Sequence, residues 1–275
     1  MELLLKKAIQ ESGNNLHLDV VDFLKSKQWN VDISPYYCDD FTDKPREIDI
    51  IATRKIQILV GAKPEDVVDW FNVALFIECK NFPKNTNFRV FDNDKNISEG
   101  ILCRCAHNLR AANILKENYS LLENHHYLTT AKIAKLYDLE KEINNKKEQN
   151  DDVFKAMTQS VKSFLFFEEK MNEGARGSIN YPLVIYDKID GIYSMPKNNT
   201  EDVYLEKLKK EKQTIFYLKY SYPKTDFISS RTHHPTENFY IDFIHKDELE
   251  KFLENIEKNE IEKIKQFLGD IKNRK

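Results

Sequence analysis

The sequence predicts an α/β fold, a central mixed β-sheet flanked by helices with a helical insertion, on three observations. Two short β-branched runs, residues 47–52 and 73–80, have the length and composition of buried strands. Segments with apolar residues at helical spacing stand on either side of them. Of the 275 residues 41% are hydrophobic and only seven are glycine, which is enough apolar material for a core and too little glycine for a fibrous or linker-like chain.

Taken in order, residues 15–27 form an amphipathic helix, because Leu16, Val20, Phe23 and Leu24 recur at helical spacing opposite Asp19, Asp22 and Lys25. Ser12 to Asn15 supply the turn and cap ahead of it. Residues 29–34 alternate as a strand does, and a loop rich in Asp, Thr and Pro (38–45) leads into the strand at 47–52. Residues 55–60 read as a further strand, followed by an acidic turn or short helix over 64–70 and the strand at 73–80. From 92 to 150 the pattern is helical, best over 101–117 and 131–143, and ends in the polar run 144–150. A helix over 152–171, strands over 181–186, 215–220 and 239–244, and a charged amphipathic helix over 246–272 complete a single domain, 1–275, without an internal repeat.

Forty-two basic and 45 acidic side chains give a net charge of -3, so any contact with nucleic acid has to come from a local patch. No apolar run approaches the ~20 residues a membrane-spanning helix needs. The N-terminal MELLLKKAIQ is too short and too charged for a signal peptide, and Cys38, Cys79, Cys103 and Cys105 have no framework spacing. The expectation is a soluble cytoplasmic protein with reduced thiols and no membrane partner.

The arrangement that carries chemistry is an acid on one apolar strand, Asp49, and Glu78-Cys79-Lys80 at the end of another. Alternation puts Glu78 and Lys80 on one face and Cys79 on the other. If the strands are neighbours, two carboxylates converge and repel unless a cation sits between them. Hard oxygen ligands from Asp49 and Glu78, with the Cys79 backbone carbonyl as a third, suit Mg²⁺ or Mn²⁺. Lys80 would hold or help deprotonate an attacking water and offset transition-state charge. The implied reaction is hydrolysis of a phosphodiester.

Pro45-Arg46-Glu47-Ile48-Asp49-Ile50-Ile51-Ala52 and Phe76-Ile77-Glu78-Cys79-Lys80-Asn81, preceded by a helix, resemble the PD-(D/E)xK nuclease superfamily and its restriction-endonuclease-like branch in particular. The resemblance spans about residues 13 to 81 and implies a restriction-endonuclease-like fold and Mg²⁺- or Mn²⁺-dependent cleavage of DNA. It also implies a setting in restriction or anti-phage defence, with a partner subunit or a second copy of the chain. The chain departs from the pattern on its first helix, where Gly13-Asn14-Asn15-Leu16 is followed by His17 instead of the usual Glu. His17, Glu11 and Asp19 are the alternatives for that role. By the same resemblance Gln159 and Lys162 are candidate phosphate contacts. An RNA-directed nuclease and a non-catalytic binding member of the same fold are the competing readings.

Cys103-x-Cys105-x-His107 fits no standard zinc spacing and reads as buried thiols. His125-His126 and His233-His234 sit beside loop-like residues and read as surface groups. In the C-terminal helix the charges intermix as a solvated face does, and its apolar stripe, Leu249, Phe252, Leu253, Ile256, Ile261, Ile264 and Phe267, packs on the core or on a partner chain.

Overall fold

A computed structural model describes residues 14–40, 42–59, 67–82, 86–91, 125–129, 132–138, 151–173, 175, 177–189, 191–194, 209–210, 215–223 and 236–273. Among these, α1 (Asn14–Ser26) leads into β1 (Asn30–Ile33), β2 (Tyr36–Cys38), β3 (Pro45–Glu47), β4 (Ile50–Leu59), β5 (Val67–Lys80) and β6 (Thr86–Phe91). Then come the single turn α2 (His126–Thr129), β7 (Lys132–Asp138), α3 (Asp151–Asn172), β8 (Ser178–Tyr186), β9 (Gly191–Ser194), β10 (Lys209–Lys210), β11 (Ile215–Pro223) and β12 (Thr236–His245). A 3-10 turn, Lys246–Glu248, opens the C-terminal helical segment, which consists of α4 (Leu249–Ile256), a π-turn (Glu257–Ile261) and α5 (Glu262–Asn273).

Ten strands form one mixed sheet in the order β1-β4-β5-β8-β12-β11-β7-β6-β9-β10. Its centre is parallel, β5 to β8 and β8 to β12, and β4 runs antiparallel to β5. Alternation sorts the side chains cleanly. Leu75, Ile77, Leu183, Ile185 and Ile244 meet α1, α4 and α5 on one face. Val184, Ile241 and Phe243 meet Val153, Ala156 and Val161 of α3 on the other, where Phe76 and Ile51 pack on Phe164. The α/β expectation of a mixed sheet flanked by helices therefore holds.

Several local expectations change. The runs at 47–52 and 55–60 are not two strands: β4 is continuous from Ile50 to Leu59, and Glu47 belongs to β3. No turn or helix covers 67–70, because β5 extends back to Val67 to match the length of β4. The helix expected over 131–143 is replaced at 132–138 by β7, whose Lys-Ile-Ala-Lys-Leu-Tyr-Asp sequence pairs with both β6 and β11. Tertiary pairing overrides a weak helical period there. Apart from residues 125–129, the rest of the expected insertion, and with it Cys103, Cys105 and His107, lies outside the described residues, as do His233 and His234. The C-terminal helix is interrupted by its π-turn, and its apolar stripe packs on the chain's own sheet, Leu249, Phe252 and Ile256 being 0–2% exposed. No helix among the described residues is long and apolar enough to cross a membrane.

Candidate active site

A bend in one hairpin positions the first acid. Ile33 faces Ile50 in the β1–β4 pair, and Tyr36 faces Glu47 in the β2–β3 pair, so the second pair continues the register of the first. Between them Ser34 takes a left-handed backbone, φ 53, and its N–H donates to the Asp49 carbonyl at 2.8 Å. The ribbon peels away from β5 at this point. The β4–β5 ladder ends at Ile50 and Ile77, one step short of placing Asp49 opposite Glu78.

Having left the ladder, Asp49 replaces a backbone acceptor with its side chain: the Cys79 N–H donates to Asp49 Oδ2 at 2.7 Å. A strand residue sends its N–H and C=O to the same side, so the Cys79 carbonyl faces the gap that the ribbon opens. The Cys79 thiol points to the opposite face, 7% exposed among the α1 and α4 side chains, and burial pushes its pKa well up.

Glu78 is fully buried, and Lys80 Nζ lies 2.9 Å from its Oε2. Its described polar neighbours are Lys80 and the Asp49 backbone N–H. Burial first, and the Asp49 charge second, push the Glu78 pKa up to about 8 despite Lys80. Burial works against the Lys80 ammonium as well, but Glu78 and Asp49 outweigh it and hold its pKa above the usual value. Tyr37 stands nearby, its phenol pushed up by burial and then by Glu78.

Asp49, Glu78 and Lys80 are thus brought together, with the Cys79 backbone between them. The first-helix alternatives are not brought to the same place by any described contact. α1 packs Leu16, Val20, Val21 and Leu24 on the Cys79 side of the sheet. Asp19 is exposed there, and Glu11 lies outside the described residues. His17 Nε2 is buried with no hydrogen-bond partner among the described residues. Gln159 and Lys162 hold the hairpin: Gln159 Nε2 donates to the Glu47 carbonyl at 3.1 Å, and Lys162 Nζ to Asp39 Oδ2 at 2.7 Å. Asp39 in turn accepts the Thr42 N–H at 3.1 Å, which ties the hairpin tip to α3. No feature of the sequence pattern marks Tyr37 as a neighbour of Glu78.

His125 and His126 are not surface groups. They are 6% and 1% exposed beneath the C-terminal segment, on the face of the sheet opposite Glu78. His126 Nδ1 lies 2.6 Å from Glu260 Oε1, and its Nε2 lies 3.2 Å from each oxygen of Asp242. Burial opposes charge on His126, yet Glu260 and Asp242 prevail and push its pKa up to about 10. His125 goes the other way because burial dominates. The partners are 116 and 134 residues away in sequence, which is why the His-His pair gives no local sign of them.

No family model, curated protein or solved structure matches this chain.

Proposed function

We propose that the chain is a divalent-cation-dependent nuclease that hydrolyses phosphodiester bonds in DNA, with Asp49, Glu78 and Lys80 as its centre. The observation that carries this reading is the pair of carboxylates at the bend, Asp49 held by the Cys79 N–H and Glu78 fully buried beside Lys80. A buried carboxylate in that position stays ionised at neutral pH only when a cation compensates it. Asp49, Glu78 and the Cys79 carbonyl form the hard oxygen set that suits Mg²⁺ or Mn²⁺. When bound, such an ion supplies Lewis-acid polarisation of a phosphoryl oxygen and lowers the pKa of a coordinated water.

The residues divide the remaining work. Lys80, with its pKa held up, is a charged donor rather than a base: it orients the water and offsets the charge gathering on the phosphoryl oxygens. Asp49 is fixed by the Cys79 N–H, so it needs no reorganisation to take up a ligand. Gln159 and Lys162 position the hairpin that carries Asp49.

The reading that the fold only binds a partner is favoured by one observation, the absence of a described carboxylate from α1 at the site. Incubating the full chain with plasmid, linear duplex, single-stranded DNA and RNA, each with Mg²⁺, Mn²⁺ or EDTA, separates the two. Metal-dependent cutting of a DNA substrate is the expected result. Cutting of RNA alone would reassign the substrate, and no cutting of any substrate would leave the binding reading.

A further inference from the structure

The cluster on the other face of the sheet has the composition of a second, unrelated metal centre. His125 just before α2, His126 at its start and Glu260 from the π-turn each bring one ligand atom to within 4.8 Å of the others. Glu260 Oε2 lies 3.0 Å from His125 Nε2, while its Oε1 lies 2.6 Å from His126 Nδ1. All three side chains are buried.

Three further features point the same way. The second nitrogen of His126 lies 3.2 Å from both Asp242 oxygens, the carboxylate–imidazole contact that orients metal-binding histidines. The Tyr181 hydroxyl donates to Glu260 Oε2 at 2.7 Å and the Tyr127 hydroxyl to Asp242 Oδ2 at 3.0 Å, so both carboxylates are held in place. Glu260 also sits on a π-turn, a departure from regular helix that is common where a side chain must be aimed at a site.

Charge supplies the independent argument. Glu260 and Asp242 are 1% and 0% exposed, and no Lys or Arg among the described residues lies within ion-pair distance of either. Two neutral imidazoles, two carboxylates and one divalent cation sum to zero, which removes the cost of net charge in the core. We propose that His125, His126 and Glu260 bind one zinc-class divalent ion, with Asp242 orienting His126, and that this ion fastens the C-terminal segment to the sheet. Mixed imidazole and carboxylate ligands favour zinc over Mg²⁺ or Ca²⁺, and three protein ligands leave a position for the second Glu260 oxygen or a water. Three contacts have to be given up: the ring contacts of His125 Nε2 and His126 Nδ1 with Glu260, which the ion replaces, and the Tyr127 N–H that reaches His125 Nδ1 at 3.2 Å, because an imidazole ligating through Nε2 carries its proton on Nδ1.

The proposal does not rest on the nuclease reading, since the two sites lie on opposite faces of the sheet. The test is the metal content of the untagged full chain after dialysis, with Co²⁺ substitution read by ligand-field absorption and melting followed with and without a chelator. One equivalent of zinc is expected in the wild type and in Asp49→Ala, none in His125→Gln or Glu260→Gln, and the chelator should lower the wild-type Tm. If those variants do not fold, the Co²⁺ spectrum and the chelator effect on the wild type decide. A wild type that retains neither zinc nor Co²⁺ and melts unchanged with chelator would overturn the proposal, as would uptake that persists unaltered in folded variants.

Discussion

Glu78→Gln separates a buried acid awaiting a cation from an ordinary strand residue. The folded pKa is raised from 4.5 to about 8, so the folded state holds this proton more tightly than the unfolded chain does. Stability from this group is therefore fully present below pH 4.5, falls as pH rises, and levels off above about pH 8. At ~1.4 kcal/mol per pH unit the loss is about 2 kcal/mol at pH 6 and on the order of 4 to 5 kcal/mol at pH 8.5. Glutamine cannot ionise, so without divalent ions the variant should match the wild type near pH 4.5 and exceed it by about those amounts at the two higher values. Saturating Mg²⁺ or Mn²⁺ at pH 8.5 should raise the wild-type Tm and leave the variant nearly unmoved. The assay is denaturant and thermal unfolding across pH 4.5 to 8.5, with EDTA or divalent ion. Parallel pH–stability curves for the two proteins, or an equal metal effect on both, would refute the reasoning.

Three other outcomes follow from the packing. Lys162→Met removes the nearer cation of the buried Asp39 and leaves it only the half-exposed Arg46 at 3.6 Å, which should cost up to about 3 kcal/mol by denaturant unfolding. Phe252→Ala removes a ring 2% exposed beneath the C-terminal segment and should cost roughly 3 to 5 kcal/mol in the same measurement. Cys38 is exposed, whereas Cys79 is buried with its thiol pKa pushed up, so brief alkylation of the native chain followed by peptide mass analysis should label Cys38 and spare Cys79 until the chain unfolds.

What the sequence made legible was local. Alternation along Ile77-Glu78-Cys79-Lys80 put Glu78 and Lys80 on one face, and the helical spacing of Leu16, Val20 and Leu24 marked the buried side of α1. Less visible was everything that pairing decides. β7 reads as a weak helix until β6 and β11 flank it, and β5 starts six residues before its apolar core because β4 is long enough to pair with it. The bend at Ser34 that frees the Asp49 carboxylate depends on a single left-handed residue without a glycine to announce it. His125-His126 looked loop-like because their neighbours in sequence are polar, while the acids that bury them come from β12 and the C-terminal π-turn.

The most direct test of the central claim is the single-turnover rate of DNA cleavage in Mn²⁺ by the wild type, Asp49→Ala and Lys80→Ala, each checked for native melting behaviour. The account predicts cleavage by the wild type that EDTA abolishes, and a loss of at least about 100-fold in either folded variant. Cleavage that persists undiminished in both variants would contradict it and place any nuclease activity elsewhere in the chain.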